Sequence, residues 1–230
     1  MALILGIETA TEVCSVAIIK DGICLAEHNN LDGNAHASQL HAMVQNLMQE
    51  NGFGLNQLNA IAISIGPGSY TGLRVGVSAA KGFAFALNIP IIGITSLKSL
   101  ANRFLVQTEK KEGLLVPMID ARRMEVYTAV YDINLTELEP IHANILDENS
   151  FADLADKSPL YLFGNGANKC IQFLNHPNIN IIPNFHCGAA GLASLAEQAF
   201  QKSDFLNLAY FEPYYLKDFV GSTPKNKKPN

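Results

Sequence analysis

Ser64-Ile65-Gly66-Pro67-Gly68-Ser69-Tyr70-Thr71-Gly72-Leu73-Arg74-Val75-Gly76 lies between an apolar run, Ala60-Ile61-Ala62-Ile63, and a longer apolar stretch reaching about Leu87. The run predicts a buried strand, and the stretch after the glycines predicts a helix. Strand, glycine turn and helix together can point backbone N–H groups at an anion. A phosphate-gripping Walker loop, however, ends in Gly-Lys-Ser/Thr, and here Leu73-Arg74 follows Gly72. A dinucleotide fingerprint has its third glycine three residues after the second; Gly66, Gly68 and Gly72 miss that spacing, and Pro67 removes an N–H. The stretch therefore reads as a tight turn feeding a buried helix, with Ser69 as N-cap.

Within that helix Gly72, Gly76, Ala80 and Ala84 recur every fourth residue and form one stripe of small side chains. A glycine inside a helix costs roughly 0.5–1 kcal/mol against alanine, so the pair predicts a close approach to the backbone. Leu73, Val75, Val77, Phe83, Phe85 and Leu87 occupy the other faces, with only Arg74, Ser78 and Lys81 strongly polar. A helix this apolar must be covered on nearly every side. One cover is its own sheet; the other is a neighbouring helix or a second chain.

Upstream, Ala2–Ile7, Val13–Ile19 and Ile23–Glu27 read as three strands, the last two joined through Asp21-Gly22. Leu40, Met43, Val44, Leu47 and Met48 have helical spacing, and Asn51-Gly52 ends that helix. Pro90–Ile94 and a helix from Ser96 complete a β-β-β-α-β-α-β-α order. The order then starts again: strands at Leu114–Ile119, Val126–Ile133 and Leu138–Leu146, a helix at Ser150–Ala155, a strand at Leu160–Phe163, the turn Gly164-Asn165-Gly166 with a helix from Ala167 to Leu174, a strand at Ile179–Ile182, and a helix from Ala189 to Gln201. A shift of 112 residues carries Glu8, Val16 and Ala17 onto Asp120, Thr128 and Ala129. The predicted fold class is α/β, a duplicated βββαβα architecture with a cleft between its halves. The expected organisation is residues 1–106, residues 107–218 with the last helix packing back on the first half, and a disordered tail at 219–230.

The 230 residues are 48% hydrophobic and 16% charged, with 16 Lys+Arg against 21 Asp+Glu, a net charge of −5. A protein that holds nucleic acid unaided usually shows a basic stripe. Here the basic residues stand out only in the tail, at Lys225, Lys227 and Lys228, so the chain alone is expected to hold nucleic acid, tRNA included, weakly. Cys14, Cys24, Cys170 and Cys187 form no Cys-x-x-Cys pair, and no leader precedes the first strand, which predicts a reduced, cytoplasmic protein. Val75–Leu97 is interrupted by Lys81, Asn88 and Pro90, so no membrane span is expected.

Ile7-Glu8-Thr9-Ala10-Thr11-Glu12, the Ser64–Gly76 string and Asp120-Ala121-Arg122-Arg123-Met124-Glu125-Val126-Tyr127 resemble the bacterial TsaB (YeaZ) family, within the actin, Hsp70 and sugar-kinase (ASKHA) superfamily. The likeness extends to about Leu216. It implies a role in making threonylcarbamoyladenosine next to the anticodon of tRNA. It also implies a non-catalytic partner of a TsaD-like catalytic subunit, joined by a TsaE-like ATPase and homodimeric when alone, with tRNA met only through the complex. Many members carry Asp where this chain has Glu8. The alternative is a nucleotide-dependent phosphotransferase or hydrolase of the same superfold; a peptidase lacks any identifiable nucleophile–base set.

Glu8 and Asp120 face one another as paired acids for catalysis or Mg²⁺, or else bond to the amides of their own turns, which is the favoured reading. Thr9, Thr11, Asp120, Arg122, Gly164 and Gly166 would line a cleft with room for weak nucleotide binding, no cofactor being required by the chain alone. His36 and His41 stand roughly 140° apart round a helix and cannot share a metal. The expected partner surface comprises His36, Leu40, Met43, Val44 and Leu47 on one helix and Tyr70, Gly72, Leu73, Arg74, Gly76, Val77 and Ala80 on the next.

Overall fold

The computed structural model describes residues 2–31 and 36–217, without the side chains of 36–38. The expected disordered tail and the side chain of His36 lie outside the described residues. The first half runs β1 (Leu3–Glu8), β2 (Cys14–Lys20), β3 (Ile23–Asn30), α1 (His36–Glu50), β4 (Ala60–Ser64), α2 (Tyr70–Leu87), β5 (Ile91–Ile94) and α3 (Ser96–Thr108). The second runs β6 (Leu114–Asp120), β7 (Glu125–Tyr131), β8 (Glu137–Ile145), α4 (Ala152–Ala155), β9 (Leu160–Phe163), β10 (Ile179–Ile182) and α5 (Ala193–Gln201). Each half builds one five-stranded sheet, ordered β3-β2-β1-β4-β5 and β8-β7-β6-β9-β10. The two orders are the same, with antiparallel hairpins on one side and parallel strands on the other.

The repeat is less regular than the 112-residue shift predicts. Glu8 lies opposite Ser15, but Asp120 lies opposite Val126, so the second hairpin is one residue tighter. The helix expected from Ala167 is a 3₁₀ segment, Ala167–Gln172, and α5 is preceded by another, Ala189–Leu192. Gly166 precedes one segment and Gly188 and Gly191 flank or interrupt the other, and glycine weakens regular helix.

Side chains alternate across a strand, so each sheet has two apolar faces to cover. Leu3, Leu5, Ile7, Ile61 and Ile63 pack under α1 and α2. The opposite face, with Ile4, Ala17, Ile19, Ala62 and Ile92, is covered by Ala189, Leu192, Ala193 and Ala196 from the far end of the chain. The second sheet is treated reciprocally: Leu97, Leu100, Ala101 and Phe104 of α3 pack on Leu115, Ile119, Ala129, Tyr131 and Phe163. The last helix of each half thus lies on the other half's sheet.

Residues 204–217 form an extended strap that returns over α2. Leu206 N donates to Ile91 O at 2.9 Å and Tyr214 N to Ile65 O at 2.7 Å. Lys81 Nζ donates to Phe211 O at 2.7 Å, and Leu206, Leu208 and Phe211 pack on the α1–α2 core. Sheet, α1 and strap together cover most of the apolar α2 surface.

Candidate functional site

The duplication places two turns side by side at the strand ends, β1–β2 and β6–β7. In the first turn the carboxyl of Glu8 is fully buried and its Oε1 accepts from Ala10 N and Ser64 Oγ, both at 2.7 Å. Burial pushes this carboxyl above its ordinary range; Ser64, the Ala10 and Thr9 amides and the Arg103 charge offset only part of that. The N-terminus of α2 docks directly on the same turn. Ser69 N donates to Ala10 O at 2.7 Å, and Ser69 Oγ caps Gly72 N at 3.2 Å. A Cβ on Gly72 would collide with the Thr9 carbonyl oxygen, and one on Gly76 with Thr9 Oγ1.

In the second turn Asp120 Oδ1 accepts from Arg122 N at 2.5 Å and pairs with Lys169 Nζ at 2.6 Å. Asn165 joins the halves: its Oδ1 accepts from Asp120 N at 3.0 Å while its Nδ2 donates to Glu12 Oε2 at 2.7 Å. His186 Nδ1 lies 3.6 Å from the other Glu12 oxygen. The two turns hold each other across the cleft.

This geometry corrects the cleft assignment. Thr9 and Thr11 are buried, and Gly164 and Gly166 are buried against the Met118 carbonyl and against Val126 and Ile119. Amides that might cradle phosphates already have partners: Ala10 N bonds to Glu8, Val13 N to Thr11, Arg122 N to Asp120 and Gly166 N to Met118 O. Each acid bonds to an amide of its own turn, Glu8 also to Ser64 Oγ and Asp120 also to Lys169 Nζ. These four amides are not free for a nucleotide's phosphates, and no group of three or more His, Cys, Asp or Glu able to hold a metal occurs among the described residues.

The partner surface needs correction too. Leu40, Val44, Leu47, Gly72, Leu73, Gly76, Val77 and Ala80 are buried inside the chain, because the small-residue stripe faces the β1–β2 turn. Met43 is half-buried. Tyr70 is half-buried against Tyr215, and Arg74 is exposed over the Tyr70 ring with its Nε donating to Tyr215 OH at 3.2 Å. Besides Thr71 and Arg74, α2 presents outward Ser78, Gly82, Ala86 and Phe85, the last 80% exposed. Beside it Phe83 lies 5.4 Å from the His41 ring of α1. Phe85 is absent from the expected surface because a helix apolar all round gives periodicity no direction.

A buried acid whose folded-state pKa is raised stabilises the fold below its unfolded value, near 4.5, and that contribution is lost as pH rises through the folded value. Glu8→Gln removes the ionisation while keeping the acceptor for Ala10 N. Its melting temperature relative to the parent is expected to rise between pH 5 and pH 8; a constant difference across that range would show that Glu8 does not titrate with unfolding.

Two copies of one βββαβα unit about a shared cleft define the actin, Hsp70 and sugar-kinase class of fold. The family model described as "TsaD: tRNA N6-adenosine threonylcarbamoyltransferase" matches residues 30–158, and the chain belongs to that family, on its TsaB (YeaZ) side. The Escherichia coli (strain K12) tRNA threonylcarbamoyladenosine biosynthesis protein TsaB is 40% identical over 130 residues, 56% of this chain and 54% of the relative. The Bacillus subtilis (strain 168) protein of the same name is 33% identical over 138 residues, 60% and 58%. The alignments thus span a little over half the length of the curated relatives. A Pseudomonas aeruginosa crystal structure, described as an uncharacterized protein with similarity to peptidase YEAZ, superposes with a TM-score of 0.82 at 28% identity, over 94% of this chain and all of that one. A second, YeaZ from Pseudomonas aeruginosa, gives 0.78 at 29% identity with the same coverage.

Proposed function

We propose that this chain is a non-catalytic scaffolding and activating subunit for transfer of a threonylcarbamoyl group to the tRNA adenosine next to the anticodon. It would act by heterodimerising with a TsaD-like catalytic subunit and recruiting a TsaE-like ATPase, in the cytoplasm, and would pair with itself when alone. The names of its relatives support the pathway. The observation that carries the accessory role is the closed first turn: the Glu8 carboxyl is fully buried, and its Oε1 is held by Ala10 N and Ser64 Oγ. A carboxyl closed off by its own chain is not placed for proton transfer to a bound molecule. The purified chain should therefore neither turn over ATP nor modify tRNA. Turnover by the single chain that Asp120→Asn abolishes would restore the phosphotransferase reading.

In this reading the docking surface is the outward face of α1 and α2 around Phe85, not the glycine stripe. An exposed aromatic flanked by small and polar residues is the kind of anchor that dominates an interface. Phe85→Asp is expected to weaken both self-association and heterodimer formation by about 30-fold or more, the loss of a 2 kcal/mol hot spot. The side chain touches little of its own fold, so the melting temperature should hold. Size measurement of the mixed subunits checks this, and an undiminished heterodimer would move the partner elsewhere.

A further inference from the structure

We propose that the tip of the β6–β7 hairpin, Arg122-Arg123, grips the phosphate backbone of RNA. The tip is closed by Ala121 N donating to Glu125 O at 3.1 Å and Glu125 N to Arg122 O at 3.2 Å. Arg122 and Arg123 have φ of +71° and +50°, two consecutive residues in the left-handed region that disfavours any Cβ. Turns of this kind are ordinarily given to Gly or Asn. Both side chains are exposed, and neither guanidinium has a hydrogen bond or ion pair among the described residues. Two further cations reach the foot of the hairpin from distant segments: Lys169 pairs with Asp120, and Lys217, at the end of the strap, pairs with Glu125. Four cations thus meet two carboxylates, and both carboxylates are already engaged by the lysines. Neither arginine is paired within that cluster, on a chain whose net charge is −5.

Adjacent planar guanidiniums suit phosphate oxygens, which accept their N–H groups in pairs. An acidic polypeptide is the competing ligand for such a pair. RNA is favoured because this proposal rests on the tRNA-modification reading above. The contact would be sequence-independent and salt-dependent, placing the RNA against the assembly without selecting a base.

The test is a salt titration of full-length chain against an unmodified tRNA transcript, with polyglutamate as competitor. The parent chain should bind weakly at low salt. Arg122→Ala/Arg123→Ala should lower the slope of log affinity against log salt by about 1.4–1.8, for two lost phosphate contacts. Arg122→Asn/Arg123→Gly should lose the same slope while melting no lower than the parent, since those residues suit the backbone; arginines kept for folding would give the reverse. No measurable binding by the parent, an unchanged slope in both variants, or loss only in full-length Lys225→Gln/Lys227→Gln/Lys228→Gln would each overturn the proposal. Displacement of tRNA by polyglutamate at lower charge concentration would reassign the tip to an acidic protein. Failure of the scaffold reading would show separately, in heterodimer formation, which this titration does not use.

Discussion

Gly72→Ala should lower the melting temperature by roughly 6–12 °C, while Gly82→Ala, ten residues along the same helix, should raise it. Gly72 lies in the first turn of α2 against the Thr9 backbone, and Gly82 in the helix interior facing open space. A methyl on Gly72 meets the Thr9 carbonyl, backbone that cannot swing aside, and must push α2 off the β1–β2 turn. Overpacking of this kind costs about 3 kcal/mol or more, and each kcal/mol shifts a domain of this size by about 2–4 °C. The shift would also strain the Ser69 cap on Gly72 N. Gly82 has nothing within 4 Å of the added methyl, so only its helix propensity changes, a gain of about 0.5–1 kcal/mol. Thermal melts of both variants decide the matter; equal effects would mean that the stripe is not packed on Thr9. A larger side chain at Gly76 would likewise have to displace the Thr9 hydroxyl and Ile63.

Glu27→Gln should cost about 2–4 kcal/mol at neutral pH. Glu27 and Arg103 pair at 2.6 Å with side chains 15% exposed, and the same carboxylate accepts from Ala190 N at 2.8 Å and from Ser15 Oγ and Asn29 Nδ2. Breaking a buried pair from one side leaves the other charge stranded, which costs about 3–5 kcal/mol when burial is complete and less with this residual exposure. The site ties β3 to α3 and to the 3₁₀ segment of the second half. Burial pushes the Glu27 carboxyl up, but Arg103, the Ala190 amide and Asn29 outweigh it and hold it below its ordinary range. Its stabilising contribution is therefore complete above an unfolded value near 4.5 and is lost as pH falls through the folded value. The gap between parent and Glu27→Gln in denaturant unfolding should close toward pH 3. A gap that persists in acid would mean that packing, rather than charge, makes the difference.

Much of the fold was legible because apolar runs, helical spacing and glycine punctuation are local signals. Ala60–Ser64, the Ser69 cap, α2 and the restart at Leu114 all follow from spacing within short windows. The direction of the small-residue stripe did not, because Thr9 and Gly72 are brought together only by the β1–β4 pairing. The strap at 204–217 was missed for a related reason: Leu206, Phe211 and Tyr214 have neither helical nor strand spacing, and they bond to α2, β5 and the chain just after β4 through single backbone contacts. The basic cluster was invisible as well, since Arg122, Lys169 and Lys217 are remote in sequence and converge only at the β6–β7 hairpin. The own-turn amide bonds of Glu8 and Asp120 agree with the favoured sequence reading, whereas Ser64 and Lys169, which also hold these acids, come from distant segments.

The crossing of the last helices has a consequence for the nascent chain. The first sheet can complete itself once Ile94 has emerged, yet the residues that cover its second face, Ala189 to Ala196, are roughly 100 residues further on. At about 5–20 residues per second, synthesis leaves Ile4, Ala17, Ile19, Ala62 and Ile92 uncovered for about 5–20 s. A ribosome stalled between those points would hold a finished sheet with one greasy side bare, a ready client for chaperones and a seed for aggregation.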